Sequence, residues 1–183
     1  SEMGKVKNSG IRLSQYESQV SPRHFQDICT LYENKKKQMK KIDFDDMLLL
    51  CWKLFKTRSD ILERWQGKFR YILVDEFQDV NRVQYEVLRM LALPENNLFV
   101  VGDDDQSIYQ FRGARPGIML GFPKDYPGAR QILLDVNYRC TSYILKGAVR
   151  VIEHNKKRYP KKLRAVKDKG ALVHVQEVKD PTE

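Results

Sequence analysis

Two short apolar runs, each ending in acidic residues, constrain the fold of this chain more than any other feature. Residues 71–74 read Tyr-Ile-Leu-Val and lead directly into Asp75 and Glu76, while residues 98–101 read Leu-Phe-Val-Val and lead into Gly-Asp-Asp-Asp. Runs of this length without polar alternation are typical of parallel strands that are covered on both faces. Residues 132–134 read Ile-Leu-Leu and predict a third strand of the same kind. A sheet of parallel strands is therefore the expected centre of the fold.

Stretches with helical periodicity separate and flank these runs. Apolar side chains recur every three or four residues in five stretches, which begin at Ser21, Asp43, Ser59, Asn81 and Thr141. A last strand is predicted over residues 171–178. Strands that alternate with helices predict an α/β fold with parallel strands and flanking helices, preceded by a helical segment.

The polar residues that follow the predicted strands form the candidate site. Because ligands bind beyond the carboxyl ends of parallel strands, we expect Asp75–Glu76, Asp103–Gln106 and Asn137–Arg139 to line one crevice. Asp75 can hold Mg²⁺ directly or through water, and Glu76 can polarise a water nucleophile. The alternative is that these acids only end strands, solvate turns or cap the next helix, as isolated acidic pairs usually do.

Aromatic and basic side chains crowd the sequence after residue 106. Tyr109, Phe111 and Arg112 combine two rings with a guanidinium, a set that suits stacking on unpaired bases. The Phe111 ring can equally pack into a core. Tyr138 and Arg139 repeat the combination, with a ring that can stack on a purine and a guanidinium that can bind phosphate.

Basic residues cluster at both flanks of the chain, whose formal net charge is +9. The densest clusters are Lys35–Lys37 and Lys156–Arg158, and the segment between the flanks is slightly acidic. Basic clusters attract the phosphates of nucleic acid, although a single lysine run is more often a solvated helix face. The charge pattern therefore favours a nucleic-acid partner only modestly.

Composition excludes several classes of protein. With 42% hydrophobic and 31% charged residues, the chain is neither mainly disordered nor fibrous. No apolar run approaches the ~20 residues that a membrane span requires, and the N-terminal residues lack the pattern of a signal peptide. The 3 cysteines are isolated, which favours a reducing compartment and gives no spacing for a zinc site. We therefore expect a cytoplasmic protein without a membrane partner.

Three ordered motifs resemble those of the UvrD/Rep/PcrA family, superfamily 1 DNA helicases that translocate 3′ to 5′ on single strands. Residues 74–79 read Val-Asp-Glu-Phe-Gln-Asp, residues 101–114 read Val-Gly-Asp-Asp-Asp-Gln-Ser-Ile-Tyr-Gln-Phe-Arg-Gly-Ala, and residues 137–139 read Asn-Tyr-Arg. Residues 44–48 resemble the segment before the second family motif. The resemblance covers residues 43–175. It implies a partial RecA-like P-loop NTPase core that uses ATP and Mg²⁺, acts on single-stranded and duplex DNA, and serves DNA repair.

The resemblance also implies roles for the matched residues. Asp75 corresponds to the Mg²⁺ ligand, Glu76 to the base that activates the hydrolytic water, and Gln106 to the γ-phosphate sensor. Tyr138 corresponds to the ring that stacks on adenine, and Arg139 to an arginine finger.

A further part of the resemblance concerns DNA contact. Tyr109, Phe111 and Arg112 correspond to the segment that links nucleotide state to bound DNA. Many family members carry Trp where this chain has Phe111, which keeps a stacking face with less area.

The phosphate-binding motif of the family, and its last two motifs with their second arginine finger, have no counterpart in the sequence. No G-x-x-x-x-G-K-[ST] loop is present, so nothing is expected to cradle the β/γ-phosphates of ATP. We expect an internal piece of a larger helicase, inactive by itself, whose partner is the remainder of the parent chain. Residues 1–42 would end an inserted helical subdomain, residues 43–134 would form the second half of the first RecA-like domain, and residues 135–183 would begin the second.

Two alternatives from other functional classes stay open. One is a truncated helicase-like module that only binds DNA or a protein partner. The other is a metal-dependent phosphohydrolase or nuclease that uses Asp75, Glu76 and the acids at 103–105 without ATP.

Overall fold

A computed structural model describes residues 2–9, 12–19, 21–107 and 115–177. The chain divides into two compact units, residues 1–125 and residues 126–183. In chain order the helices and strands are α1 (Glu2–Ser9), α2 (Pro22–Gln38), α3 (Phe44–Thr57), α4 (Ser59–Gln66), β1 (Ile72–Val74), α5 (Arg82–Ala92), β2 (Leu98–Val100), α6 (Pro116–Asp125), β3 (Val136–Thr141), α7 (Ser142–Ile152) and β4 (Arg164–Lys167). Among the described residues, no helix combines the length and the apolar character needed to cross a bilayer.

Strands β1 and β2 of the first unit pair in parallel, which confirms the prediction for the first two apolar runs. Ile72 lies opposite Leu98, and the pairing runs in register to the ends of both strands. The sequence predicted strands that are covered on both faces, but one face of this pair is exposed. The alternate side chains Leu73 and Phe99 are 73% and 57% exposed, because no described element of this unit covers that face of the strands.

The core of the first unit gathers around Phe77, which is fully buried. Its ring meets the rings of Tyr85 and Phe122 edge-on, with centroids 5.9 Å and 5.5 Å away. Helix α6 packs on the 3₁₀ turn that carries Phe77, while α3 packs against α4 and α5, and α1 packs against α3 and α5. Packing of Phe77 against rings from α5 and α6 therefore holds the turn that follows β1 in place.

Helix starts follow the predicted capping residues closely. Asp43 Oδ1 accepts the N–H of Asp46 at 2.8 Å, and Asp46 Oδ2 accepts the N–H of Asp43 at 3.0 Å. Asn81 and Gln84 make the same reciprocal pair at the start of α5, with both bonds 2.9 Å long. These capping boxes satisfy backbone donors that a helix leaves unpaired. Both helix starts are thereby confirmed.

An ion-pair cluster joins α1, α2 and the start of α3. Lys36 Nζ lies 2.9 Å from both Glu33 Oε1 and Asp43 Oδ2, and it also pairs with Asp46. Lys7 Nζ contacts the same three carboxylates at 2.8–2.9 Å. Lys36 is buried, so it does not belong to the solvent-facing basic cluster that the Lys35–Lys37 run suggested.

Burial and ion pairing oppose each other in this cluster. Burial lowers the pKa of the Lys36 ammonium, but the hydrogen bond to Asp46 and further bonds within the cluster outweigh it, so this pKa is raised. Burial likewise raises the pKa of Asp43, but hydrogen bonds from Lys7 and Lys36 outweigh it, so this pKa is lowered. The folded state therefore favours the charged form of both groups.

We expect Lys36→Met to lower the free energy of unfolding of the first unit by about 3 kcal/mol, because it leaves the half-buried carboxylates of the cluster undercompensated. The lowered pKa of Asp43 stabilises the fold above its ordinary value of about 4, and this stabilisation is lost as the pH falls below it. The variant should therefore lose less stability on acidification than the parent chain. Urea unfolding at neutral and acidic pH, followed by circular dichroism, measures both effects.

Lys37→Met is the matched control for this prediction, since Lys37 is the exposed neighbour on the same helix. Its effect should stay within about 0.5 kcal/mol, as for most surface substitutions. Equal losses in the two variants would mean that the cluster contributes no net stability.

In the second unit, the described residues form one parallel pair of strands and one helix. Val136 of β3 lies opposite Arg164 of β4, Thr141 lies opposite Lys167, and the pairing is interrupted between residues 137 and 141. Helix α7 packs against both strands. Thr141 is the N-cap of α7, which confirms the helix predicted to begin there.

Two strand predictions in this unit are wrong. Residues 132–134 are exposed and not in a strand, which begins at Val136 instead. Residues 171–177 carry no strand either, and the partner of β3 is Arg164–Lys167. Apolar composition alone misled in both cases, because pairing with a distant segment decided where the strands form.

Candidate active site

The first two predicted site segments leave the sheet at the same edge. The Val101 N–H donates to Val74 O at 2.8 Å, and the Phe77 N–H donates to Val101 O at 2.8 Å. These bonds extend the parallel pairing of β1 and β2 beyond the strands themselves. Asp75–Glu76 and Gly102–Asp103 are therefore neighbours, as the sequence predicted for strands that run in parallel.

Asp75 is an exposed carboxylate at the end of β1. Its Oδ1 accepts the N–H of Glu76 at 2.8 Å, and its other oxygen has no hydrogen-bond partner among the described residues. Mg²⁺ prefers carboxylate oxygens and often takes only one or two from the protein, with water and phosphate supplying the rest. One carboxylate oriented by a backbone bond fits that ligand role.

Glu76 occupies an uncommon backbone conformation. Its φ of 49° and ψ of 42° lie in the left-handed region, which non-glycine residues rarely adopt. Such conformations cluster at functional sites, where surrounding contacts hold them in place. The Glu76 carboxylate is exposed, and its Oε2 accepts the side-chain amide of Gln78 at 2.6 Å. The backbone and the side chain of Glu76 are thus both constrained.

Gln78 connects the ends of the two strands, a role that the sequence analysis did not assign. Its side chain is buried, and its Oε1 accepts the N–H of Asp103 at 3.0 Å. A Cβ atom on Gly102 would lie 2.7 Å from this Oε1 and 3.1 Å from the backbone nitrogens of Phe77 and Gln78, so a side chain there would displace the Gln78 amide. The only sequence signal was the position of Gln78 within Asp-Glu-Phe-Gln-Asp, which does not show what the side chain contacts.

Asp103 and Gln106 form a short capped turn after β2. Asp103 Oδ1 accepts the N–H of Asp105 at 3.1 Å, and its Oδ2 accepts the side-chain amide of Gln106 at 2.7 Å. Asp103 therefore caps this turn, which agrees with the alternative prediction that these acids end strands and cap turns. Gln106 is exposed, and its amide is tied to Asp103 in this structure.

Three residues predicted to contact DNA are Tyr109, Phe111 and Arg112. They fall within residues 108–114, outside the described part of the chain. Their assignment stays a prediction from the sequence.

Tyr138 and Arg139 lie in the second unit and project into solvent, Tyr138 being 72% exposed. They lie within β3, not beyond the end of a strand as predicted, because the strand starts later than the apolar run suggested. Asn137 Oδ1 accepts the N–H of Arg139 at 3.1 Å and that of Cys140 at 2.7 Å. Asn137 therefore shapes the irregular stretch that presents both side chains. A crevice shared with Asp75 stays a prediction.

Another group of acids could be mistaken for a metal centre. Glu33, Asp43 and Asp46 place carboxylate oxygens within 4.8 Å of one another. The ammonium groups of Lys7 and Lys36 already lie among these oxygens. Two ammonium groups from the chain itself therefore offset two of the three carboxylate charges and occupy the space between the oxygens, which makes the group a structural cluster.

Comparisons with known proteins identify relatives of the chain. The family described as UvrD/REP helicase N-terminal domain matches residues 2–127. The ATP-dependent DNA helicase PcrA of Leuconostoc citreum is 46% identical over 144 residues, covering 79% of this chain and 19% of the relative. PcrA of Staphylococcus aureus strain Mu50 is 39% identical over 178 residues, covering 96% and 24%.

A third relative, the protein YjcD of Bacillus subtilis strain 168, is 55% identical over 137 residues, covering 75% of this chain and 18% of the relative. The chain thus spans about a fifth of the length of these relatives.

Proposed function

The chain belongs to the UvrD/REP helicase family, and from this we propose that it is part of an ATP-dependent DNA helicase that translocates 3′ to 5′ on single strands and unwinds duplex DNA. The observation that carries the proposal is the shared edge of β1 and β2. There Asp75, Glu76 and Gln106 belong to two neighbouring segments joined by hydrogen bonds. The first two of the three matching motifs meet at this edge, where a nucleotide binds in open α/β sheets.

Each residue at this edge has a chemical task in the proposal. Asp75 offers one carboxylate oxygen to Mg²⁺, which when bound offsets negative charge on the phosphates of ATP. One oxygen of Glu76 is held by Gln78, and the other accepts a proton from the attacking water. One N–H of the Gln106 side-chain amide stays on Asp103, and the second N–H donates to the γ-phosphate.

The remaining predicted residues complete the proposal. Tyr138 stacks on adenine, and Arg139 stabilises the charge that develops on the γ-phosphate. Tyr109, Phe111 and Arg112 contact single-stranded DNA by stacking and charge. Support for these roles comes from the sequence motifs and, for Tyr138 and Arg139, from their solvent exposure.

The proposal also places the chain within a larger protein. Residues 1–42 belong to the end of an inserted helical subdomain, residues 43–134 to the first RecA-like domain, and residues 135–183 to the second. Such a helicase works in the cytoplasm on DNA under repair. Family membership and the α/β architecture of β1 with β2 support this assignment.

The nuclease alternative has less support at this edge. Hydrolysis by two metals requires several acids gathered around a pair of ions. Among the described residues, three acidic ligands converge only in the lysine-filled cluster of Glu33, Asp43 and Asp46. Cleavage of DNA by the purified chain with Mn²⁺ and without ATP would reinstate the nuclease.

A comparison of two protein lengths tests the proposed function. A protein of the relatives' length that contains this segment should hydrolyse ATP faster when single-stranded DNA is added, while the 183-residue chain alone should show no ATPase activity. The reason is that the chain has no G-x-x-x-x-G-K-[ST] loop to hold the phosphates. Phosphate release measured with and without an oligonucleotide gives both results. DNA-stimulated hydrolysis by the 183-residue chain would contradict the expectation.

A further inference from the structure

We propose that Gln78 is a positioning residue that sets the place of the Glu76 carboxylate relative to Gln106. This inference rests on the function proposed above and adds a residue to it. Gln78 acts through Glu76 and has no direct part in the chemistry.

Three hydrogen bonds join the proposed base to the proposed phosphate sensor. The Gln106 side-chain amide donates to Asp103 Oδ2 at 2.7 Å. The Asp103 backbone N–H donates to Gln78 Oε1 at 3.0 Å. The Gln78 side-chain amide then donates to Glu76 Oε2 at 2.6 Å. The chain of bonds is continuous, and Gln78 is the link that crosses from one strand end to the other.

The Gln78 side chain is well placed to act as a rigid link. It is 2% exposed, so its orientation is set by protein contacts and not by solvent. Its amide uses the acceptor end for Asp103 and the donor end for Glu76. Only a side chain of this length with one donor and one acceptor satisfies both partners. A glutamate would oppose Glu76, and a methionine would leave both partners unpaired.

The backbone around Gln78 also favours these two hydrogen bonds. Gly102 allows the Gln78 amide to approach the end of β2, since a Cβ there would lie 2.7 Å from Oε1. Glu76 itself is held in a left-handed conformation immediately before the turn. A base within hydrogen-bond reach of its water must be placed to within a fraction of an ångström. Gln78 supplies that placement from a buried position.

Gln78→Met tests the proposal in a protein of the relatives' length that contains this segment. The variant keeps the side-chain length and removes both hydrogen bonds. We expect kcat for ATP hydrolysis to fall about 10- to 100-fold, as for misplacement of a catalytic group, with KM for ATP changed less than about twofold. In a Glu76→Gln background the same change should lower the residual rate by less than about twofold, because both substitutions remove one function.

Asn81→Ala is the matched control. Asn81 is also buried and caps the next helix, and its side chain makes its hydrogen bonds with Asn8 and Gln84. It should lower the melting temperature while leaving kcat within about twofold. If Gln78→Met fails to fold, Gln78→Asn serves instead, since the shorter amide cannot reach both partners. The inference requires the loss of kcat to exceed that of the control at a matched fraction of folded protein.

The outcomes separate the inference from the proposed function. If Glu76→Gln abolishes turnover and the folded Gln78 variant keeps kcat within about twofold, the positioning role is wrong and the helicase proposal stands. Additive losses in the double variant would also overturn the positioning role. If Glu76→Gln leaves turnover intact, Glu76 is not the base, and the function proposed for this edge is wrong whatever the Gln78 variant does.

Discussion

Glu76→Gln in a protein of the relatives' length is expected to lower kcat for ATP hydrolysis by about 10²- to 10⁴-fold, the range that a positioned general base contributes. The substitution removes the base but keeps the side-chain size. The Gln78 amide, which donates to Glu76 Oε2 at 2.6 Å, can donate to the glutamine carbonyl in the same way. ATP affinity should therefore change less than about twofold. Single-turnover hydrolysis and binding of a fluorescent nucleotide measure the two quantities separately.

Glu95→Gln provides the control for loss of charge, since Glu95 is exposed in the loop before β2. Its kcat should match that of the parent protein. A fall in kcat of less than about tenfold for Glu76→Gln would show that another group activates the water. A loss of nucleotide affinity equal to the loss of rate would instead assign Glu76 to binding.

Local signals in the sequence predicted the parts of the fold that depend on nearby residues. The capping boxes at Asp43 and Asn81 form because each side chain reaches a backbone N–H three residues away. The parallel pairing of β1 with β2 also followed, because two apolar runs separated by a helix have few other ways to pair.

Features that depend on distant contacts could not be predicted in this way. β4 was missed because its sequence, Arg-Ala-Val-Lys, has charged ends and gains its structure from pairing with β3. Residues 132–134 are more apolar but have no strand partner. The composition of a segment indicates how much apolar surface it can bury. Whether it forms a strand depends on which other segment the fold places next to it.

The candidate site shows the same division. The acids at the strand ends were predictable, because polar residues after apolar runs are visible in the sequence. The link through Gln78 was not, because it depends on the 3.0 Å approach of Asp103 across two strand ends. Lys36 likewise looked like part of a basic surface, and only the fold places it among three carboxylates.

The Arg139 side chain is exposed, so it can be truncated with little effect on packing. Its guanidinium forms no ion pair with any described residue, and its backbone N–H is held by Asn137 at 3.1 Å. Removing the guanidinium therefore leaves the local backbone bond intact. An arginine finger contributes about 10³- to 10⁵-fold to phosphoryl transfer. Because Arg139 is exposed, we expect its truncation to leave the fold of the second unit intact, so such a loss would come from chemistry.

Arg139→Ala in a protein of the relatives' length should accordingly lower kcat for ATP hydrolysis by about 10³-fold or more, while affinity for single-stranded DNA without nucleotide stays within about twofold. Arg139→Lys should recover little, since an ammonium lacks the fork that binds phosphate through two bonds. Arg150→Ala, an exposed arginine on α7, is the control and should leave both values unchanged. Phosphate release and fluorescence anisotropy with a labelled oligonucleotide measure rate and affinity. If DNA affinity falls and turnover persists, Arg139 binds DNA and the finger belongs to another arginine.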